Sequence, residues 1–364
     1  MKTILALCAL ATATLAQADI LIGQTAAFTG TAAAAVQEIT AGAKLYIDAV
    51  NERGGIGGQR IKLLAMDDKF DPKLAAENTR KLIKDDGVIA MFLSRGTPHT
   101  EAMLPLLDEF NVPLIAPSTG AMVLHTPVKK NVFNVRATFQ LEAEKAVHLL
   151  QAIGLDRVGV LYTDDGIGLD ALTGARTGFA QNKIQPVYIG KFDRSKPDFA
   201  LVTAEIIKTK PNALVIFGAG NKVVDAVRAV RAAGSSATLV TLSNNASASF
   251  VKALGEHAKG VIVSQVFPSE RSSVLFSDVA RAAKIKGITE VSPAMLEGYA
   301  AAAVLVQGLR RAGKNPTGPR LQAALEATRG FDVGGMKINY SATDHTGLSF
   351  TELSIISKDG RFVR

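Results

Sequence analysis

Tryptophan is absent from the 364-residue chain, and cysteine occurs once, as Cys8. A single cysteine excludes an intrachain disulfide and any cysteine-rich metal site. Aromatic residues make up 6% of the chain and no basic run is interleaved with them. The stacking platforms of single-stranded nucleic-acid binders are therefore missing, and nucleic acid is excluded as a partner. Charged residues are 20% and hydrophobic residues 48%, which excludes long-range disorder. His99, His125, His148, His257 and His345 are scattered, with no H-x-x-x-H pair, so no metal is assigned. Neither a phosphate-binding G-x-x-x-x-G-K-[ST] nor a G-x-S-x-G nucleophile elbow occurs.

What is present starts with MKTILALCALATATLAQA. Lys2 is a positive n-region, Ile4 to Ala11 an apolar h-region, and Ala16-Gln17-Ala18 a small-x-small cleavage pattern. Residues 1–18 read as a secretory signal peptide cut after Ala18. Cys8 follows Leu7 in the middle of the h-region, which is not a lipidation site, and it leaves with the segment. No later run reaches the roughly 18 apolar residues of a membrane span. The expectation is an exported, periplasmic protein beginning at Asp19. The formal charge of +8 loses only Lys2 with the signal segment. The remaining excess is spread along the chain, with short pairs at Lys129-Lys130 and Arg310-Arg311. It reads as a solubility background that also draws in anionic solutes.

At roughly 150 residues per domain, the length suggests two domains. Apolar runs of strand length alternate with helical patterns. Strands are expected at Ile20 to Gln24, Arg60 to Met66, Val88 to Leu93 and Pro113 to Ala116. Helices are expected at Gln37 to Asn51, from Pro72 onward, and at Pro98 to Phe110. The cycle restarts with strands at Arg157 to Tyr162, Pro186 to Lys191, Ala213 to Phe217, Thr238 to Leu242 and Val261 to Gln265. Repeated βα units favour right-handed crossovers and parallel sheets covered by helices. An extended segment at Val132 to Thr138 is the candidate passage into a second lobe. Near the end come helices at Pro293 to Ala312 and Gly318 to Thr328. Strands follow at Met336 to Tyr340 and Ser349 to Ser357, with Asp344 and Gly347 suited to the turn between them.

The dinucleotide candidates are incomplete. Gly218-Ala219-Gly220 follows a strand, but Val223 stands where the third glycine belongs. Gly166-Ile167-Gly168 fails likewise at Ala171, and Gly54-Gly55-Ile56-Gly57-Gly58 reads as a turn. Asp67-Asp68, Asp85-Asp86 and Asp164-Asp165 are adjacent carboxylates, which point apart on a strand or helix. No nucleophile has a base beside it, no cofactor is implied, and the chain does not read as an enzyme.

Ligands of open α/β sheets bind beyond the carboxyl ends of strands. Three such loops carry suitable chemistry. In Ser94-Arg95-Gly96-Thr97, Pro98 at the first helical position makes Thr97 the N-cap, and free N–H groups and hydroxyls suit a carboxylate. Ala116-Pro117-Ser118-Thr119-Gly120 offers hydroxyls and free backbone, and Thr163 to Gly168 belongs to the other lobe. Facing loops of this kind enclose a small molecule when a hinge closes.

The chain resembles the periplasmic substrate-binding proteins of branched-chain amino acid ABC transporters, the leucine/isoleucine/valine-binding group. The residues that carry the resemblance run the length of the chain. They are Ile20-Leu21-Ile22-Gly23-Gln24 with Phe28-Thr29-Gly30, and Gly42-Ala43 leading into Tyr46-Ile47-Asp48-Ala49-Val50-Asn51. The run Gly54 to Gly58, Asp67-Asp68, Asp71-Pro72 and Pro117-Ser118-Thr119 follow. Ser264-Gln265-Val266-Phe267-Pro268 and Glu297-Gly298-Tyr299 complete the set. Their order and spacing are specific to the family, not to a ligand.

The resemblance implies an α/β type I periplasmic-binding fold, two doubly wound lobes joined by about three crossovers. It places lobe one at 19–138 plus 267–345 and lobe two at 139–266 plus 346–364. It implies capture of a small carboxylated ligand and delivery to a membrane ABC permease. Thr97, Ser118 and Thr119 would hold the carboxylate, with Arg95 and Gly96 beside them. The stretch Thr31-Ala32-Ala33-Ala34-Ala35 lacks the family's aromatic, and Ile167 stands before Gly168 where another is common. The loop Leu242-Ser243-Asn244-Asn245-Ala246 lacks the glutamate that accepts a ligand ammonium. Asn244 offers a neutral acceptor, and Asp164 or Asp165 a charged one; otherwise the ligand is an aromatic or aliphatic acid. Phe267 would pack on an apolar ligand group or fill the hinge. Two other readings are a periplasmic sensing module for a membrane signalling partner and a cofactor-dependent α/β enzyme.

Overall fold

The computed structural model describes residues 18–30 and 32–364. The expected signal segment up to Gln17, and Thr31, lie outside the described residues. Ala18 is described, and its carbonyl accepts a bond from Gln59 Nε2 at 2.7 Å.

The chain begins with β1 (Ile20–Ala26), α1 (Ala33–Glu52), β2 (Ile61–Asp67), α2 (Pro72–Lys84) and β3 (Ala90–Phe92). There follow α3 (Thr97–Phe110), β4 (Leu114–Ile115) and β5 (Val132–Phe133). The second run is α4 (Phe139–Ala152), β6 (Val158–Thr163), α5 (Gly166–Asn182), β7 (Tyr188–Phe192) and α6 (Phe199–Thr209). It continues with β8 (Ala213–Phe217), α7 (Asn221–Ala232), β9 (Thr238–Thr241), α8 (Ala248–Leu254) and β10 (Ile262–Gln265). The last part holds α9 (Val274–Ile285), α10 (Pro293–Ala312), α11 (Gly318–Glu326), β11 (Phe331–Val333), β12 (Met336–Ile338), β13 (Glu352–Ile356) and β14 (Phe362–Val363).

Local chemistry explains these elements. β8 reads ALVIF and is buried at every residue, as a strand covered on both faces must be. Asp71 caps α2 by accepting from Lys73 N at 2.8 Å, and Pro72 fits the first turn because its missing N–H is not needed there. α10 is apolar around most of its circumference and is correspondingly buried.

Five strands form one sheet in the order β2-β1-β3-β4-β5, all parallel. The second sheet runs β14-β13-β10-β9-β8-β6-β7. Its parallel part repeats the winding of the first, with β6 and β8 in the places of β1 and β3. In this winding the strand order reverses between the first and third strands. The adjacent connections then leave on opposite faces, and a crevice opens at the carboxyl ends. Each sheet therefore has one such switch point.

The chain passes between sheets after β5, returns after β10, and passes again before β13. The region between the last two passages packs on the first sheet. There α10 crosses α1 at backbone contact. A Cβ on Gly298 would lie 1.8 Å from the Ile39 carbonyl oxygen, and one on Gly42 2.1 Å from that of Met295. Only glycine allows this approach at either position.

The C-terminal strands depart from the sequence expectation. The runs at Met336 and Ser349 join different sheets rather than flanking a common turn. β12 pairs with β11 through Gly334-Gly335, both at positive φ, and β13 pairs antiparallel with β10. Two adjacent glycines make the tighter turn, and β11 is too short to show a period.

The first lobe also buries Asp68 completely, among neutral donors: Phe70 N at 2.9 Å and Thr25 Oγ1 at 3.4 Å. Burial pushes its carboxyl up to about 6, against these two bonds. The folded state then holds a proton that the unfolded chain, near 3.9, releases earlier. This stability is present below about pH 4 and is lost as pH rises through about 6. Asp68→Asn removes the penalty, so the variant gains roughly 2–3 kcal/mol over wild type at pH 7.5 and little at pH 4. Urea unfolding at the two pH values checks this; an equal effect at both removes the titration from the account.

Candidate ligand-binding site

The two switch points face each other. A Cβ built on Gly166, the first residue of α5 after β6, would lie 3.9 Å from Thr97 Cγ2, on the first residue of α3 after β3. The structure thus brings the helix start that follows one strand of each sheet to close approach.

On the first-sheet side the loops after β3 and β4 are zipped together. Ser118 N donates to the Ser94 carbonyl at 2.7 Å, and Arg95 and Ser118 form an isolated parallel bridge. Leu93 and Ala116 both take φ +54, turning the two loops in the same way. Left-handed backbone at non-glycine residues costs about 1–3 kcal/mol, and such strain clusters at binding sites. Thr97 Oγ1 and Thr119 Oγ1 lie 2.7 Å apart, and both residues are buried.

Thr97 does not cap α3. The helix begins at Thr97, its N-cap is Gly96, and no side chain bonds the cap. The Thr97 hydroxyl is drawn to Thr119 instead. Gly96 sits at φ +96, and a Cβ there would meet His99 Nδ1 at 2.7 Å. The first N–H groups of α3 thus begin beside the paired hydroxyls.

Arg95 spans the cleft. Its Nη1 donates to Ser118 Oγ at 3.2 Å and its Nη2 to the Asn244 carbonyl, from the loop after β9, at 2.8 Å. Burial lowers its pKa, and the charge of Glu297 opposes that shift. Asn244 Nδ2 donates to the Gly218 carbonyl at 3.0 Å, as does Asn245 Nδ2 at 3.2 Å. The amide of Asn244 thus braces the loop after β8.

The remaining expected residues are placed as follows. Ile167 is buried in the core between α4, α5 and the second sheet. A Cβ on Gly168 would lie 2.0 Å from the Thr163 carbonyl oxygen, so Gly168 packs its own loop. Phe267 belongs to the first-lobe core and lines a small crevice with Ala116, Pro117, Val135, Arg136 and Glu297. Asp164 accepts from Lys191 Nζ at 2.7 Å. Asp165 caps α5 through Ile167 N and Gly168 N, and pairs with Arg194 at 2.7 Å. Neither aspartate is left free for an ammonium.

Sequence reasoning missed a buried charge network at the crossings. Arg136 Nη2 donates to Glu142 Oε1 at 2.5 Å and to Ser243 Oγ at 2.5 Å. Its Nη1 lies 3.8 Å from Glu297 Oε1, and its guanidinium sits 4.9 Å from the Phe139 ring centre. Glu142 Oε2 accepts from Ser243 N at 2.9 Å and from Ser264 Oγ. Glu38 on α1 was missed as well. Its two oxygens accept from Ala248 N at 2.9 Å and Ser249 N at 2.8 Å, across the cleft. Phe70 stacks 4.5 Å from His99 and lies under Arg194 at 5.9 Å. It supplies an aromatic at the loop end of β2, where residues 32–35 have none. No sequence signal marks these pairs, because their members lie far apart in the chain.

Among the described residues, no cluster of His, Cys, Asp and Glu could hold a metal, and no helix is long and apolar enough to cross a membrane. A periplasmic binding protein family profile matches residues 19–351. The chain is 24% identical over 334 residues to a Leu/Ile/Val-binding protein homolog of Brucella melitensis, covering 91% of this chain and 89% of that one. It is 25% identical over 350 residues to a Leu/Ile/Val-binding protein of Rhizobium johnstonii, covering 94% and 93%. A substrate-binding periplasmic protein from Ralstonia solanacearum superimposes with a TM-score of 0.85 at 28% identity, covering 95% and 99%. These are binding proteins, not enzymes, and the fold is the type I periplasmic-binding fold. With switch points facing across a cleft and the profile matching nearly the whole chain, the protein belongs to the periplasmic binding protein family.

Proposed function

We propose that the protein captures a small carboxylate between its lobes and hands it to a membrane ABC permease. The observation that carries this reading is the contact between the two switch points, at Thr97 and Gly166. Around that contact lie the hydroxyls of Thr97, Ser118 and Thr119, the N-terminus of α3 and the Arg95 guanidinium. Hydroxyls, helix N–H groups and a guanidinium are all donors to a carboxylate. No bond of the solute is made or broken.

The chain would act in the periplasm after cleavage behind Ala18. Lobe one, 19–138 plus 267–345, and lobe two, 139–266 plus 346–364, would move as units about the three crossings. The bonds from Arg95 to Asn244 and from Glu38 to Ala248 and Ser249 would latch the closed state. The Leu/Ile/Val-binding relatives support an amino acid or a related acid as solute.

A thermal-shift screen of amino acids, aromatic acids and short aliphatic acids tests the reading. A true ligand at a hundredfold excess over Kd stabilises by about 2.7 kcal/mol. For the acid that shifts the melting temperature most, Thr97→Ala and Ser118→Ala each weaken binding about tenfold by calorimetry. Unchanged affinity in both variants would move the carboxylate elsewhere. Loss of uptake of that acid on deleting the gene tests delivery to a permease.

A further inference from the structure

We propose that Phe70 and Arg194 form a clamp across the cleft, a cation–π contact that helps hold the two lobes closed over a bound solute. The inference rests on the reading of lobe closure and adds the pair that sets its strength.

The loop after β2 is built to present the Phe70 ring. Lys69 and Phe70 take φ of +51 and +63, left-handed backbone at two successive residues that are not glycine. Such backbone is strained at a bulky residue, and it persists only where the surroundings over-determine it. Here the two preceding carboxylates do so. Asp67 Oδ1 accepts from Lys69 N at 2.9 Å and from Phe28 N at 2.8 Å, and Asp68 Oδ1 accepts from Phe70 N at 2.9 Å. The loops after β1 and β2 are thereby tied together, and Phe70 packs on Ala26, Ala27 and Val36. Its ring lies 4.5 Å from that of His99, two residues beyond Thr97 on α3. Burial lowers the pKa of His99, and the charge of Arg194 acts in the same direction, so the imidazole beside Phe70 is neutral at neutral pH.

The second lobe supplies the cation. Arg194 follows β7, which holds the place in its sheet that β2 holds in the first. Its Cζ lies 5.9 Å from the Phe70 ring centre, within the range of cation–π attraction. Asp165 Oδ2 holds the guanidinium at 2.7 Å, and Oδ1 of the same carboxylate caps α5 through Ile167 N and Gly168 N. That helix starts at Gly166, the residue that approaches Thr97. One carboxylate thus fixes both the cation and the helix start that meet the first lobe here. The Arg194 side chain is 25% exposed, so its attraction to the ring is screened less than at an open surface.

When the lobes part, Arg194 stays with Asp165 and Phe70 stays with its loop. Only the contact between them is broken. A contact made in the closed state alone shifts the balance toward that state.

Disulfide trapping reads the closed population. Thr97→Cys and Gly166→Cys are introduced together in the full chain, with Cys8→Ser so that no other thiol is present. The 3.9 Å approach at these positions lies within reach of a disulfide. The rate of cross-linking is followed under a fixed oxidant. Phe70→Leu keeps an apolar side chain without a π face, and Arg194→Met keeps the stem without the charge. Each is expected to slow cross-linking about threefold to tenfold. The two together should be no slower than the slower of them alone, and Phe70→Tyr should keep the parent rate. An unchanged rate in either single variant, effects that multiply in the double one, or a Phe70→Tyr as slow as Phe70→Leu overturns the clamp and leaves closure standing. A parent that never cross-links overturns closure, and the clamp with it. Carboxylate capture is judged separately, by the thermal-shift screen.

Discussion

Arg136→Ala destabilises the protein by about 3–5 kcal/mol. Arg136 is 1% exposed, and its guanidinium faces Glu142, 0% exposed, and Glu297. Removing it leaves two carboxylates in a medium that cannot hydrate them. The loss is therefore the penalty of unpaired buried charge rather than the worth of one bond. Guanidinium-induced unfolding, followed by circular dichroism, reads it directly. Arg136→Met combined with Glu142→Leu should recover at least half the loss, because well-packed apolar replacement of a buried pair is often neutral. Strictly additive losses in that pair would assign the contribution of Arg136 to packing on Phe139 instead.

Gly298→Val costs more than about 3 kcal/mol, for a reason unrelated to charge. A Cβ at this position would stand 1.8 Å from the Ile39 carbonyl oxygen and 2.9 Å from Ala43 N, both backbone atoms of α1. Backbone cannot rotate away as a flexible side chain can. The helices must separate, and the apolar layer they close, including Ile39, Ala43, Leu296 and Ala301, loses its contacts. Gly330→Ala is the control: that glycine has nothing within 4 Å of its Cβ direction, though its φ of +61 adds a small strain. Equal melting temperatures for Gly298→Val and wild type would mean that the crossing relaxes freely.

The βα rhythm was legible because buried parallel strands are continuous apolar runs. Ala213–Phe217 and Pro293–Ala312 have the expected boundaries. The meeting of the Thr97 and Thr119 loops was legible because strand ends are where this architecture exposes donors, and the hydroxyls of Thr97 and Thr119 do meet. The exact role of Thr97 was not, since a cap and a cross-loop partner look the same in one dimension. Ile167 was misleading for a similar reason. Its neighbour Gly168 packs against the Thr163 backbone, and Ile167 points into the core. The network around Arg136 was invisible. Ser243 and Ser264 lie more than a hundred residues from the groups they bond, and no local pattern announces such a meeting.

The three crossings have a consequence for how the chain comes into being. The first sheet is complete in sequence by Phe133, yet its covering helix α10 ends only at Ala312. The second sheet gains its last strands at Glu352 and Phe362. A chain that emerges N-terminus first can close neither core until nearly all of it has appeared. Non-local contacts of this kind are slow to form. The unfinished polypeptide would stay extended for most of its synthesis, the condition in which a chain can be threaded through a narrow pore before it folds.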